Sequence, residues 1–359
     1  MSSTQTPLRA GVIGLGYGGE MHLKGYTQLP NVEVIALAGL EETRLHALGE
    51  TYSVPNLYRY DRDLLARNDL DIVSICVPNH LHMPIAVQAL EKGAHVLCEK
   101  PLARTTAEAE VMVQAARRAN RVLQTVYNHR LRGDVLVLKQ LIDEGQLGHI
   151  YYARATWMRG HGIPGVGTWF VNKDIAGGGP LIDLGVHVLD MALYLLDEPE
   201  IVTVSASTYN ELGTRGIGID PKARKTGTSN TFNVEDIATA FLRLGNGATL
   251  LLEAAWATHG SATDDFGLTL YGTEGGAELR VHEHNWQDTL HVYRSIAGIP
   301  AEIRPQTSKG EGHIAVVRNF VQTITSGNWS LHDGSEGMRR VQVVDSCYES
   351  AKQGREIVM

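Results

Sequence analysis

The chain has 359 residues, 43% of them hydrophobic, with 32 Lys and Arg against 40 Asp and Glu for a net charge of -8. That length suggests two domains, and that hydrophobic share builds a core without disulfides or a structural metal. The negative balance argues against a general nucleic-acid or anionic-membrane binder. No apolar run approaches the roughly 18 residues of a membrane span, and MSSTQTPLRAGVIG lacks a basic region leading into an apolar one, so a soluble, cytoplasmic protein is expected. Cys76, Cys98 and Cys347 are an odd count without metal-like spacing and read as thiols, not disulfides. The compositional excess is glycine, 38 residues.

From residue 9 to about 125, short β-branched runs alternate with helical patterns. Residues 9–14, 32–38, 71–77, 94–98 and 121–126 are near-continuous apolar stretches, as strands buried on both faces of a parallel sheet are. Helical segments lie between them, including 82–92 and 106–120, which predicts a doubly wound α/β domain. Beyond about residue 145, strand-like segments follow one another through turns: 150–157, 201–208, 236–244, 248–256, 266–271, 277–282 and 289–294. Gly245-Asn246-Gly247 and the stretch 272–276 carry hairpin chemistry. A large, mainly antiparallel open sheet in an α+β domain is expected. The polar, aperiodic stretch 209–232 is a functional loop or a mobile excursion, and helices over 313–326 and 335–352 close the chain. The division expected is 1–126 for a Rossmann-like nucleotide-binding domain and 127–359 for substrate binding and oligomerisation, with the last helix packing back on the first domain.

Gly14-Leu15-Gly16-Tyr17-Gly18-Gly19 has G-x-G-x-x-G spacing between the first strand and a helix. Glycines at these positions give a tight turn, let backbone approach a pyrophosphate, and aim helix amides at phosphate. The second strand ends Ala38-Gly39-Leu40, so glycine stands where an NAD site usually has an acid for the ribose hydroxyls. Glu41 and Glu42 follow and can reach the ribose, whereas Arg44 can pair with a 2′-phosphate. NAD is favoured slightly over NADP.

Gly177-Gly178-Gly179-Pro180 makes a clear helix entrance to 181–196. Along that apolar cylinder Asp183, His187, Asp190 and Tyr194 form one polar stripe, expected to face a cavity or a ligand. An acid and an imidazole one turn apart can grip a substrate hydroxyl and remove its proton, with Asp190 orienting His187. Glu99-Lys100-Pro101 lies at the end of a predicted parallel strand, where open α/β sheets bind ligands, and the Lys100–Pro101 bond can be cis.

These clusters together resemble the glucose-fructose oxidoreductase, inositol dehydrogenase and rhizopine-catabolism (Gfo/Idh/MocA) oxidoreductases over nearly the whole chain. The resemblance rests on Gly14 to Gly19, Val77-Pro78-Asn79 with His82, Glu99-Lys100-Pro101, and the glycine triplet leading to Asp183 and His187. It implies a nicotinamide cofactor, NAD or NADP, and a catalytic triad of Lys100, Asp183 and His187. It further implies that Pro78, Asn79, His82, Glu99 and Asn128 line the cofactor, with Trp169 and Arg159 facing nicotinamide or substrate. His161, in the glycine-flanked loop Arg159-Gly160-His161-Gly162 shortly before the catalytic helix, reads as a substrate contact.

The reaction expected is reversible oxidation of a secondary alcohol of a sugar, cyclitol or related polyol by a homo-oligomer, dimer or tetramer. His187 takes the hydroxyl proton, Lys100 stabilises the oxygen, and Asp183 holds a neighbouring hydroxyl or tunes His187. Two other outcomes share the fold: elimination or glycoside cleavage through transient oxidation, and ligand sensing without catalysis. His80 with His82, and His282 with His284, lack a third ligand at a metal-binding spacing, so no metal is expected.

Overall fold

The computed structural model describes residues 6–223 and 232–359. The apolar runs of the N-terminal half form six parallel strands: β1 (Leu8–Ile13), β2 (Val32–Ala38), β3 (Asn56–Tyr58), β4 (Ile72–Ile75), β5 (His95–Cys98) and β6 (Leu123–Thr125). Their order is β3-β2-β1-β4-β5-β6, so the order in which the chain adds strands reverses between β1 and β4. The crevice outside the carboxyl ends at such a reversal is where α/β sheets bind ligands. The sequence did not mark β3, whose three residues are too few to show a pattern; pairing with β2 defines it.

The second sheet has nine strands: β7 (Ile150–Arg159), β8 (Ile201–Tyr209), β9 (Ile237–Leu244), β10 (Thr249–Ala255), β11 (Asp264–Gly272), β12 (Gly275–His282), β13 (Leu290–Ile296), β14 (Ile299–Ile303) and β15 (Ile357–Val358). They run β14-β13-β12-β11-β7-β10-β9-β8-β15, antiparallel except for the β7–β10 pair. Both predicted reversals are present; Gly247 has φ +87°, which suits glycine. Strands β14 and β15 escaped sequence detection because both are edges: β14 is largely exposed and contains Pro300, and β15 has two residues. In the stretch 209–232, residues 224–231 lie outside the described residues. Its first part is tied down by the Asp236 carboxylate, which accepts the Leu212 and Gly213 amides at 2.6 and 2.8 Å.

Two compact units result. One holds the chain to Asn128 with Glu311–Val341, and the other holds His129–Gly310 with Gln342–Met359. The helix His313–Ser326 joins the first unit by packing on the helix Tyr17–Tyr26, where a Cβ at Gly25 would come within 2.8 Å of Val317. An Arg117–Asp333 ion pair at 2.6 Å and a bridge between Leu123 and Asp333 hold the same segment. In the second unit, the helix Val186–Leu195 is buried at nearly every position against the sheet. All three cysteines are free. Among the described residues, no helix is long and apolar enough to cross a membrane.

Candidate active site

The glycine turn is built for close approach. Gly14 has φ +89°, and a Cβ there would meet the Cys76 carbonyl at 2.1 Å; one at Gly19 would meet the Gly14 carbonyl at 2.0 Å. A Cβ at Gly16 would meet nothing within 4 Å, so this position opens outward. Gly16 is the N-cap of the helix Tyr17–Tyr26, without a side-chain cap. First-turn amides left in this way suit phosphate oxygens, so these residues fit a dinucleotide. Leu15 is buried, while Tyr17 stands out into solvent.

The ribose end is clarified by two contacts. A Cβ at Gly39 would come within 2.7 Å of the Leu15 side chain, so a larger residue there would need Leu15 to shift. Arg44 donates to the Leu15 carbonyl and, at 2.8 Å, to Glu20, so its guanidinium already has acceptors. Glu41 and Glu42 are exposed at the start of the helix Glu42–Thr51.

At the end of β5, the Lys100–Pro101 bond is cis. Glu99 lies between two imidazoles, His22 at 3.4 Å and His313 at 3.3 Å. Burial pushes its carboxyl up, but the two adjacent imidazoles outweigh this and hold it well below the usual range. Pro78 is half-buried and Asn79 buried, at the carboxyl side of β4; Asn128 is half-buried after β6. His82 has a different role from the one expected. It is fully buried, with Nδ1 2.8 Å from the Pro101 carbonyl and Nε2 2.8 Å from the Val77 carbonyl, so both nitrogens face backbone instead of a ligand and a neutral ring donates to one of the two carbonyls. Burial first of all lowers its basicity.

In the second unit, the helix expected over 181–196 begins with a π-turn, Leu181–Gly185, before the α-helix Val186–Leu195. The wide turn moves Asp183 out of simple α-helical phase with the rest of the stripe. Asp183 accepts the Trp256 indole N–H at 3.0 Å. His187 is 8% exposed, walled by His129 at 4.6 Å and Trp157 at 5.6 Å between ring centroids. The lower stripe is met by protein partners instead of a cavity: Arg130 forks onto Asp190, and Arg130 and Lys139 lie over Tyr194. Arg130 and Trp256 could not be found from the sequence, since neither shares a motif with its partner.

The glycine triplet is explained by crowding. A Cβ at Gly178 would fall 1.9 Å from the Tyr348 hydroxyl, and one at Gly179 would fall 2.2 Å from the Glu235 carbonyl. The buried Glu235 carboxylate accepts the Gly179 and Leu181 amides at 2.9 and 3.2 Å and the Tyr348 hydroxyl at 2.9 Å, capping the helix from another element. Arg159 and the Trp157 indole both donate to Asp264. Burial pushes the Asp264 carboxyl up, but His284, Arg159 and Trp157 outweigh it and hold it well below the usual range. His161 is exposed beside a bridge to Ala257, and Trp169 stacks on Phe170 at 3.8 Å. His22, Cys76 and Glu99 bring potential ligand atoms within 4.8 Å of one another, a cluster invisible to sequence spacing.

Residues 8–127 match an oxidoreductase family with an NAD-binding Rossmann fold, and residues 135–278 match the Gfo/Idh/MocA C-terminal domain. D-glucoside 3-dehydrogenase of Escherichia coli (strain K12) is 30% identical over 361 residues, covering 99% of this chain and 98% of its own. Levoglucosan dehydrogenase of Pseudarthrobacter phenanthrenivorans is 29% identical over 384 residues, covering 96% of each chain. The structure of a levoglucosan dehydrogenase in complex with NADH and levoglucosan matches with a TM-score of 0.85 at 26% identity, over 98% of this chain and 99% of that one. The fold, the phosphate-binding turn and these matches together make the chain a member of the Gfo/Idh/MocA family of NAD-binding oxidoreductases.

Proposed function

We propose that this chain reversibly oxidises a secondary alcohol of a sugar, cyclitol or related polyol, with NAD preferred over NADP. The observation that carries the reading is an imidazole and a carboxylate on a glycine-entered helix, His187 walled by aromatic rings and Asp183 held by Trp256. The named activities of the relatives, on a D-glucoside and on levoglucosan, support the substrate class. The engagement of Arg44 by Glu20 supports NAD, because it takes up the guanidinium that a 2′-phosphate would need.

The turn of Gly14, Leu15, Gly16, Tyr17, Gly18 and Gly19 would hold the pyrophosphate, through amides beyond that of Gly14, which donates to the Ala38 carbonyl at 2.9 Å, with Glu41 toward the ribose and Pro78, Asn79, Glu99, Asn128 and Trp169 lining the remainder. When bound, the nicotinamide supplies the acceptor for the carbon-bound hydrogen and its electron pair. His187 takes the hydroxyl proton on a ring nitrogen. Lys100 donates a hydrogen bond to the same oxygen and stabilises its developing negative charge. Asp183, fixed by Trp256, accepts from a neighbouring hydroxyl, and Arg159 and His161 contact the substrate. The protein works in the cytoplasm as a homo-oligomer, supported by the half-exposed Tyr152, Thr156, Phe241 and Leu251 on its second sheet.

The test is a screen of NAD and NADP against sugars, inositols and sugar acids, read by nicotinamide absorbance. Oxidation with NAD is expected, and Lys100→Ala and His187→Asn should each lower kcat by about 10²- to 10⁴-fold. Full turnover in both variants would overturn the assignment, and product without absorbance change would replace net oxidation by a transient one.

A further inference from the structure

Glu99 follows β5 at the carboxyl edge of the parallel sheet, one strand from the β1–β4 reversal. Its side chain is 16% exposed, and elements distant in sequence converge on it. His22 from the helix Tyr17–Tyr26 and His313 from the helix His313–Ser326 both approach Oε1 through Nε2. A Cβ on Gly18, in the nucleotide-binding turn, would fall 2.8 Å from that same oxygen. Oε2 accepts the Lys100 amide N–H at 3.2 Å.

The two histidines are themselves held. Nδ1 of His22 is 2.9 Å from the Ser74 hydroxyl, which also bonds the Tyr26 hydroxyl at 2.9 Å. Tyr17 stands edge-on to His313 at 5.7 Å. Other titratable neighbours include His82 and the thiols of Cys76, after β4, and Cys98, on β5. A carboxylate so placed puts a negative charge at the carboxyl edge of the sheet, where the dinucleotide would bind. The oxidised nicotinamide ring is a cation and the reduced ring is neutral, so such a charge acts on the two cofactor states unequally.

We propose that Glu99 discriminates the oxidation state of the cofactor, its carboxylate favouring the oxidised dinucleotide, and that His22 and His313 are positioning residues that keep this carboxylate in place. The proposal rests on cofactor binding by this fold and not on the choice of substrate.

Dissociation constants of NAD and NADH, measured on the full chain by fluorescence and calorimetry without turnover, test it. Glu99→Gln is expected to raise the ratio Kd(NAD)/Kd(NADH) by about three- to tenfold, while Glu99→Asp, which keeps the charge, stays near wild type. Equal weakening of both ligands in Glu99→Gln would mean a merely structural role and overturn the proposal. In His313→Phe the ratio should climb relative to wild type as pH falls from 8 toward about 5, because a buried Glu99 that has lost a partner takes up a proton. His313→Gln, whose amide can still donate, should restore the wild-type profile; a ratio in His313→Phe that tracks wild type would remove His313 from the scheme. Zinc titration of the cofactor-free protein should show no saturable one-to-one binding. Tight binding lost in His22→Asn would assign the cluster to a metal instead.

Discussion

The Trp256 indole donates to Asp183 Oδ2 at 3.0 Å from a fully buried position. Trp256 follows β10, and Asp183 sits in the π-turn that opens the buried helix. One acceptor of the carboxylate is therefore fixed by a rigid ring. Trp256→Phe keeps most of the apolar volume and removes the donor. It is expected to lower kcat/KM on the sugar identified by screening about tenfold, roughly 1.4 kcal/mol, with a smaller effect on KM than on kcat. Steady-state kinetics beside a thermal melt separate this from loss of fold.

The engagement of Arg44 by Glu20 makes cofactor choice adjustable. Glu20→Gln weakens the competing acceptor and leaves the guanidinium available for a 2′-phosphate. NADPH affinity is expected to rise about three- to tenfold, with NADH affinity little changed. Fluorescence titration with both reduced cofactors checks this, and unchanged NADPH binding would show that Arg44 does not reach the phosphate.

His95 gives the first unit an acid-sensitive element. Burial first, then the Arg121 charge, pushes its pKa down to about 4, and its Nδ1 accepts the Val122 amide at 3.0 Å. The imidazole is therefore neutral with the proton on Nε2, its ring edge-on to Trp329. Unfolded histidine titrates near 6.5, so between that value and about 4 the unfolded chain binds more protons. The His95 contribution is complete above about pH 6.5 and is lost as pH falls toward 4, with a slope of at most roughly 1.4 kcal/mol per pH unit. Urea midpoints measured across this window should fall less steeply in His95→Asn, which keeps an acceptor and does not titrate.

Glu235 caps the glycine triplet at three donors, and its burial pushes the carboxyl pKa up, partly offset by those hydrogen bonds. Glu235→Ala would leave two amides and a hydroxyl buried without this acceptor. A loss of roughly 3 to 5 kcal/mol in unfolding free energy is expected, against about 1 kcal/mol for Tyr348→Phe. Chemical denaturation distinguishes the two, and equal small losses would show that water replaces the carboxylate.

The sequence by itself determined what depends on neighbours along the chain. Continuous apolar runs declared β1, β2, β4, β5 and β6, glycine spacing declared the phosphate-binding turn, and the glycines before Pro180 declared the buried helix, because strand burial, positive φ and helix entry are local demands. The resemblance through Lys100, Asp183 and His187 reached the family from those same local motifs. Tertiary structure decided everything that needs a partner from far away. Edge strands β14 and β15 exist only through pairing, and the segment from Glu311 to Val341 belongs with the first unit because the face of His313–Ser326 carrying Val316, Val317 and Phe320 is buried there. His82 became a backbone brace, Asp190 an ion-pair partner of Arg130, and Glu99 the meeting point of His22 and His313. A buried polar group must find its hydrogen-bond or charge partner wherever the fold brings one, and no spacing in the chain records where that will be.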